Sequence, residues 1–155
     1  MLQTISRSEV ERFYDAYATQ QFAVVASFLH DDVQWTVSGP VDVLSFCGTR
    51  RGKAEVISSI RRSVPALFRE REFRSERMLV DGNAAAVLGH FAATKSDGRV
   101  VRYRLAQFIE FHDGKIVSFL SVIDSFDAVE QVTGRPIVLD TPPDEWPADS
   151  DIVVL

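Results

Sequence analysis

The chain contains a single cysteine, Cys47, among its 155 residues. This scarcity excludes an intrachain disulfide and a metal site built from several thiolates. A lone thiol fits a reducing compartment. No uninterrupted apolar run approaches the roughly 20 residues that cross a bilayer, and the amino terminus lacks a basic segment followed by a long apolar run. We therefore predict a cytoplasmic protein that does not bind membranes.

Basic residues are fewer than acidic ones: the chain has 17 Lys and Arg, 22 Asp and Glu, and a net charge of −5. Nucleic acids and anionic membranes are bound through a surplus of basic residues, so neither is a predicted partner. The three histidines lie far apart along the chain and lack the i, i+4 spacing of zinc-binding helices. We accordingly predict no metal site.

Apolar periodicity indicates one domain over residues 1–134, with helices near 8–19, 22–29, 53–67 and 125–133. Alternating patterns predict strands near 33–38, 71–80, 84–94, 100–111 and 115–124, with a loop over residues 39–52. Helices followed by consecutive strands favour an α+β fold, with helices on one face of a mostly antiparallel sheet. The proline-rich segment 135–155 is predicted to be an extended arm, either mobile or docked on a partner subunit.

The most informative stretch is a predicted hairpin in which VVRYRLAQFIEF and KIVSFLSVID are joined by His112-Asp113-Gly114. An Asp-Gly turn between alternating runs is a strong hairpin signal. Counting along the first strand places Gln107 on an apolar face with Leu105. The second strand ends at Asp124. An amide and an acid beside an apolar sheet face predict a small-molecule pocket.

Three phrases, HDDVQWTVSGP, FCGTRRGKAEVI and FHDGKIVSFLSVIDS, occur in an order that resembles the nuclear transport factor 2-like superfamily. Within it, residues 8–133 are most similar to the SnoaL-like group related to ketosteroid isomerase. The resemblance implies a cone-shaped α+β barrel, with a curved sheet around three helices and an apolar cavity. It also implies a homodimer through the outer sheet face, where Arg102 and Phe108 would lie. Such cavities serve isomerases, cyclases, epoxide hydrolases and non-catalytic binding modules.

Site residues follow from the same resemblance. Asp124 matches the strand-end acid or base of SnoaL-type cyclases, and Gln107 stands where relatives place a polar cavity residue. Leu105 and Val122 replace the Trp and Tyr that are common in relatives, which implies a more aliphatic cavity. The implied ligand-binding residues are Tyr17, Trp35, Phe46, Leu105 and Val122.

As an enzyme, the chain would be a cofactor-free isomerase, cyclase or hydrolase-like catalyst for a small hydrophobic carbonyl or cyclic compound. Asp124 would transfer the proton, while Gln107 or His90 would hold an oxyanion or a water. Each of these residues also has a structural alternative. Asp124 can cap the helix that begins at Ser125, His90 can face solvent, and the aromatic residues can be part of the hydrophobic core. The rival function is a non-catalytic binding or dimeric assembly module.

Overall fold

A computed structural model describes residues 4–138. The helices are α1 (Arg7–Ala18), α2 (Phe22–Phe28), α3 (Lys53–Leu67) and α4 (Ser125–Thr133). The strands are β1 (Leu29–Ser38), β2 (Gly48–Arg51), β3 (Phe68–Asp81), β4 (Ala84–Lys95), β5 (Val100–His112) and β6 (Lys115–Ile123). Most of the predicted arm, from residue 139 onwards, lies outside the described residues.

The six strands form one curved, unclosed sheet in the order β2-β1-β6-β5-β4-β3. Strands β3 to β6 follow one another as an antiparallel meander, whereas β1 runs parallel to β6. All four helices contact the sheet. The strand order makes β2 and β3 its two edges. This architecture confirms the predicted α+β class. Within the described part of the chain, no helix has the length and apolar character needed to cross a bilayer.

Helix α1 carries one wall of the interior and begins at Arg7, directly after its N-cap Ser6. Ser6 and Glu9 form a reciprocal capping box, in which the Ser6 hydroxyl accepts from the Glu9 backbone and the Glu9 carboxylate accepts from the Ser6 backbone. The buried residues Val10 and Phe13 then recur at helical spacing. This cap fixes where the aromatic face of α1 meets the sheet.

Strand β2 lies inside the region predicted to be a loop. It pairs antiparallel with β1, placing Gln34 opposite Arg51. The hydroxyls of Thr36 and Thr49 meet at 2.9 Å across this pair. A four-residue edge strand with Gly and Arg has little apolar alternation, which is why the pattern pointed to a loop.

A β-bulge on β6 decides which side chains face inward. Ser118 pairs with Glu110 and Ile116 pairs with Phe111, so that Val117 is an extra residue on β6. A bulge of one residue reverses the alternation of faces beyond it. Ser121 is consequently buried and Val122 is exposed.

Candidate functional site

A cavity of about 220 Å³ lies between the inner sheet face and the helices. It is somewhat smaller than the ~300–1,000 Å³ of most ligand pockets. Its wall is mainly aromatic and aliphatic, with a small number of polar groups. The residues that line it are Phe13, Tyr14, Tyr17, Ala18, Gln20, Phe22, Trp35, Val37, Phe46, Ser59, Ile60, Val64, Phe68, Arg71, Glu72, Phe73, Phe91, Tyr103, Leu105, Gln107, Phe119, Ser121 and Ile123.

Three polar side chains are joined by hydrogen bonds in this wall. The Tyr14 hydroxyl donates to Gln107 Oε1 at 2.6 Å, and Gln107 Nε2 donates to Ser121 Oγ at 3.4 Å. Gln107 and Ser121 are cross-strand partners, which explains why they meet. Tyr14 is held in place by stacking on Phe73, with ring centroids 5.3 Å apart. We call Tyr14, Gln107 and Ser121 the polar triad.

All three tyrosines of the chain line the cavity. Burial raises the pKa of Tyr14, Tyr17 and Tyr103 well above the ordinary value. Tyr103 is only 5% exposed. The phenols are therefore neutral at physiological pH, where each can donate a hydrogen bond but cannot serve as a base.

Parallel aromatic rings form a flat part of the wall. Trp35 and Phe119 stack with centroids 3.6 Å apart and an interplanar angle of 5°. The ring of Tyr17 lies nearly parallel to Trp35, at 6.2 Å and 15°. Rings packed in this way have little rotational freedom, so they present a rigid apolar surface suited to a flat ligand.

The opening of the cavity lies between the end of α1 and the start of β3. The exposed lining residues Ala18, Gln20 and Glu72 mark this rim. Arg71 is half-buried beside them. The guanidinium of Arg61 covers the ring of Phe22 at 4.9 Å. The rim is thus more polar than the interior.

The loop before β2 is fixed by one arginine. The Arg50 guanidinium donates to the carbonyls of Ser45, Phe46 and Cys47. Phe46 is thereby held on the cavity wall. Burial raises the pKa of the Cys47 thiol to about 11. A neutral, buried thiol is a poor nucleophile.

The expectation that Asp124 points into the cavity is wrong. Asp124 is exposed and caps α4, because its carboxylate accepts from the Asp127 backbone N–H at 3.3 Å. Because of the bulge at Val117, Asp124 lies on the same outer side of the sheet as Val122. Val122 is 44% exposed, so its predicted place on the cavity wall is wrong for the same reason.

His90 also lies away from the cavity. It is exposed on the outer sheet face, where its Nε2 contacts the carboxylate of Glu76, which also accepts from Arg104 at 3.0 Å. Inward-facing residues of β4 have odd numbers in this stretch, including Val87 and Phe91. The proposed contact of His90 with an oxyanion in the cavity is therefore excluded by its face of the strand.

Five of the eight predicted site residues line the cavity, namely Tyr17, Trp35, Phe46, Leu105 and Gln107. Their binding of a ligand stays a prediction. The sequence reading missed Tyr14, Ser121 and Arg71. Tyr14 could have been found, since it lies three residues before Tyr17 on the same helix. Ser121 and Arg71 could not have been found, because β-bulges determine which way their side chains point.

Within residues 4–138, no three His, Cys, Asp or Glu side chains are grouped to hold a metal.

The family model described as SnoaL-like domain matches residues 10–119. A provisionally assigned isomerase from Rhodopseudomonas palustris is 28% identical, with a TM-score of 0.76 over 84% of this chain and 100% of the other. A nuclear transport factor 2-like protein of unknown function from Burkholderia pseudomallei is 26% identical, with a TM-score of 0.75 over 81% and 95% of the two chains.

An epoxide hydrolase-like structure from M. tuberculosis, 21% identical, shares the fold with a TM-score of 0.66 over 82% of this chain and 88% of the other. The sequence matches none of the curated proteins.

Proposed function

The chain belongs to the SnoaL-like domain family, and we propose that its cavity binds a small, largely apolar compound that carries a carbonyl or another hydrogen-bond acceptor. The observation that carries this proposal is the polar triad within an otherwise aromatic and aliphatic wall. A few convergent polar groups in an apolar cavity are typical of sites that orient a ligand.

The triad supports recognition of an acceptor. Gln107 Oε1 is occupied by the Tyr14 hydroxyl, whereas Gln107 Nε2 makes only a long contact with Ser121. One Nε2 hydrogen is therefore left for a ligand. Donation from Tyr14 polarises the amide and strengthens Nε2 as a donor, an effect that is larger in a low-dielectric site.

A cofactor-free isomerase, cyclase or hydrolase-like enzyme is the second candidate. It is favoured by the similarity to the provisionally assigned isomerase and by the neutral phenols in the cavity. Because the Tyr14 hydroxyl already donates to Gln107, the phenols of Tyr17 and Tyr103, together with Gln107 Nε2, would stabilise an oxyanion that develops on a bound carbonyl. Among the lining residues the only carboxylate belongs to Glu72, which is exposed and paired with Arg74 at 2.7 Å. The geometry therefore supports binding and polarisation better than Asp-based proton transfer.

We further propose that the protein is a homodimer through the outer sheet face. Leu79, Ala86, Phe108 and Leu120 are successive cross-strand partners and form an apolar row across four strands. Phe108 is 51% exposed and Leu79 is 62% exposed. Rows of this kind are common at protein interfaces. Phe108→Glu should convert a dimer into a monomer in sedimentation, and a native mass equal to one chain would contradict the proposal.

Binding can be tested with a matched pair of neutral probes, 2-acetylnaphthalene and 2-ethylnaphthalene, which differ in the carbonyl. The ketone should bind about tenfold tighter, since one hydrogen bond to a buried donor is worth about 1.4 kcal/mol. Gln107→Leu should remove this preference. Leu105→Trp should fill the cavity and weaken both probes, whereas Val24→Trp on the exposed side of α2 serves as the control. Equal affinities of the two probes for the wild-type protein would refute recognition of an acceptor.

A further inference from the structure

We propose that the natural ligand is an anion, in which a carboxylate or similar group binds the Arg71 guanidinium at the cavity rim while the apolar body fills the cavity. This inference rests on the proposed function and narrows its ligand class. Three observations support it: the Arg71 side chain faces the cavity, no carboxylate within residues 4–138 pairs with it, and the rim around it is positively charged.

Arg71 is turned inward by a bulge in β3. Phe68 pairs with Lys95 and Glu70 pairs with Thr94, so that Arg69 is an extra residue. Beyond this bulge Arg71 lies opposite Ala93, which is 3% exposed on the inner face. Bulges of this kind commonly redirect a side chain next to a functional site. A long basic side chain is thus placed in the wall of an apolar cavity.

The described residues provide no carboxylate for this guanidinium. The eight contacts between basic side chains and carboxylates within residues 4–138 all involve basic residues other than Arg71. The nearest acid in sequence on the rim, Glu72, is engaged by Arg74 at 2.7 Å. A partly desolvated charge without a counter-ion is unfavourable for folding. Its presence is explained if a bound anion supplies the missing partner.

The surroundings of Arg71 favour the same ligand. Its guanidinium lowers the pKa of Tyr17, although burial outweighs this effect, so the two groups are close enough to interact. Arg61 lies over Phe22 on the same rim. The charge of Glu72 on this rim is balanced by Arg74, so Arg71 and Arg61 leave the opening positive although the chain carries a net charge of −5. A local field of this sign concentrates anions at the entrance.

The spacing of the two polar regions also constrains the ligand. Through β4, Arg71 is aligned with Val101 of β5, six residues before Gln107. Six residues of extended strand span roughly 20 Å, before side-chain reach and sheet curvature shorten the gap. A ligand that touches both Arg71 and Gln107 must be elongated, with its charge at one end and its acceptor at the other.

The experiment compares acids with their neutral amides by calorimetry at pH 7. The probes are benzoate, 2-naphthoate and biphenyl-4-carboxylate, each paired with the corresponding carboxamide. At least one acid should bind the wild-type protein ten times or more tightly than its amide. Arg71→Gln should abolish this preference. Arg69→Gln removes the same charge from an exposed position two residues away and should preserve most of it.

Three results would overturn the inference: amides that bind as tightly as the acids, a preference that survives Arg71→Gln, or the failure of all three acids to bind. If the acids fail while 2-acetylnaphthalene still binds in a Gln107-dependent manner, the proposed function stands and the anion inference alone falls. If the ketone shows no preference and Gln107→Leu has no effect, the proposed function itself fails.

Stability provides a second, independent readout. Arg71→Leu should lose acid binding while its midpoint of urea unfolding equals or exceeds that of the wild-type protein, because an uncompensated charge is removed from an apolar wall. A guanidinium with a purely structural role would give the reverse result, namely a lower midpoint, and that outcome would count against the inference.

Discussion

The hydrogen bond between Tyr14 and Gln107 can be measured with a double-mutant cycle. Tyr14→Phe removes the donor and leaves Gln107 Oε1 without its 2.6 Å partner, and Gln107→Leu removes the acceptor and strands the phenol. Each orphaned buried group costs about 1–3 kcal/mol. We expect the lower half of that range, because Gln107 is only half-buried and water in the cavity can take the place of the lost partner.

The double variant should be destabilised by no more than the worse of the two single variants, since both polar groups are then gone. The two single losses would otherwise add, so the expected coupling energy is about 1–2 kcal/mol. For a chain of this length, a loss of 1 kcal/mol lowers the melting temperature by roughly 2–4 °C. The effect is therefore measurable in both urea and thermal unfolding.

The assay is equilibrium urea unfolding of the wild type, the two single variants and the double variant, followed by circular dichroism. A control cycle pairs Tyr14→Phe with Ser27→Ala, whose hydroxyl donates to the Val24 carbonyl on α2. That control should be additive within about 0.5 kcal/mol. The same additivity in the Tyr14 and Gln107 cycle would show that their contact contributes nothing to stability, and the role of the triad as a preorganised donor would be refuted.

Three further predictions follow from contacts elsewhere in the fold. Asp124→Ala should lower the free energy of unfolding by about 1 kcal/mol because it removes the α4 cap, whereas Asp124→Asn should have little effect. Neither variant should change ligand affinity in calorimetry, and a loss of affinity would show that Asp124 contacts the ligand. Gly89→Ala should destabilise the sheet and disturb the cavity, since a Cβ at this position would lie 2.6 Å from the ring of Phe73, and an unchanged melting temperature would disprove this packing. Stability should fall as pH rises from about 9 to 11, because burial raises the pKa values of Tyr103 and Cys47 in the folded protein and both groups therefore deprotonate first in the unfolded chain. The free energy of unfolding should decrease by up to ~1.4 kcal/mol per pH unit for each group. A flat profile in urea titrations at alkaline pH would contradict the burial of these two side chains.

The α+β class could be predicted from the sequence because its patterns agree with one another. The inward face of β5, including Leu105 and Gln107, follows directly from alternation and is confirmed in the structure. The Asp113-Gly114 turn and the capping box at Ser6 mark element boundaries with specific chemistry. Local signals of this kind depend on few neighbours, so they can be read without a structure.

The site was only partly predictable, because the errors arise where alternation is interrupted. Val117 and Arg69 are bulge residues, and each reverses which face of the sheet the residues after it occupy. Alternation without a bulge places Asp124 inward and gives no reason to expect Arg71 in the cavity. A bulge is decided by the pairing of two strands and by packing above them. One strand's sequence does not contain that information.

Strand β3 has a consequence for how the protein behaves at high concentration. It is a 14-residue strand at the edge of the sheet, and no second strand within residues 4–138 pairs with its outer side. Such an edge can template the addition of a strand from another molecule and start fibrils. In FREREFRSERM, basic and acidic side chains interrupt every apolar run, and the bulges twist the strand locally. The same residues that shape the entrance thus discourage aggregation through this edge.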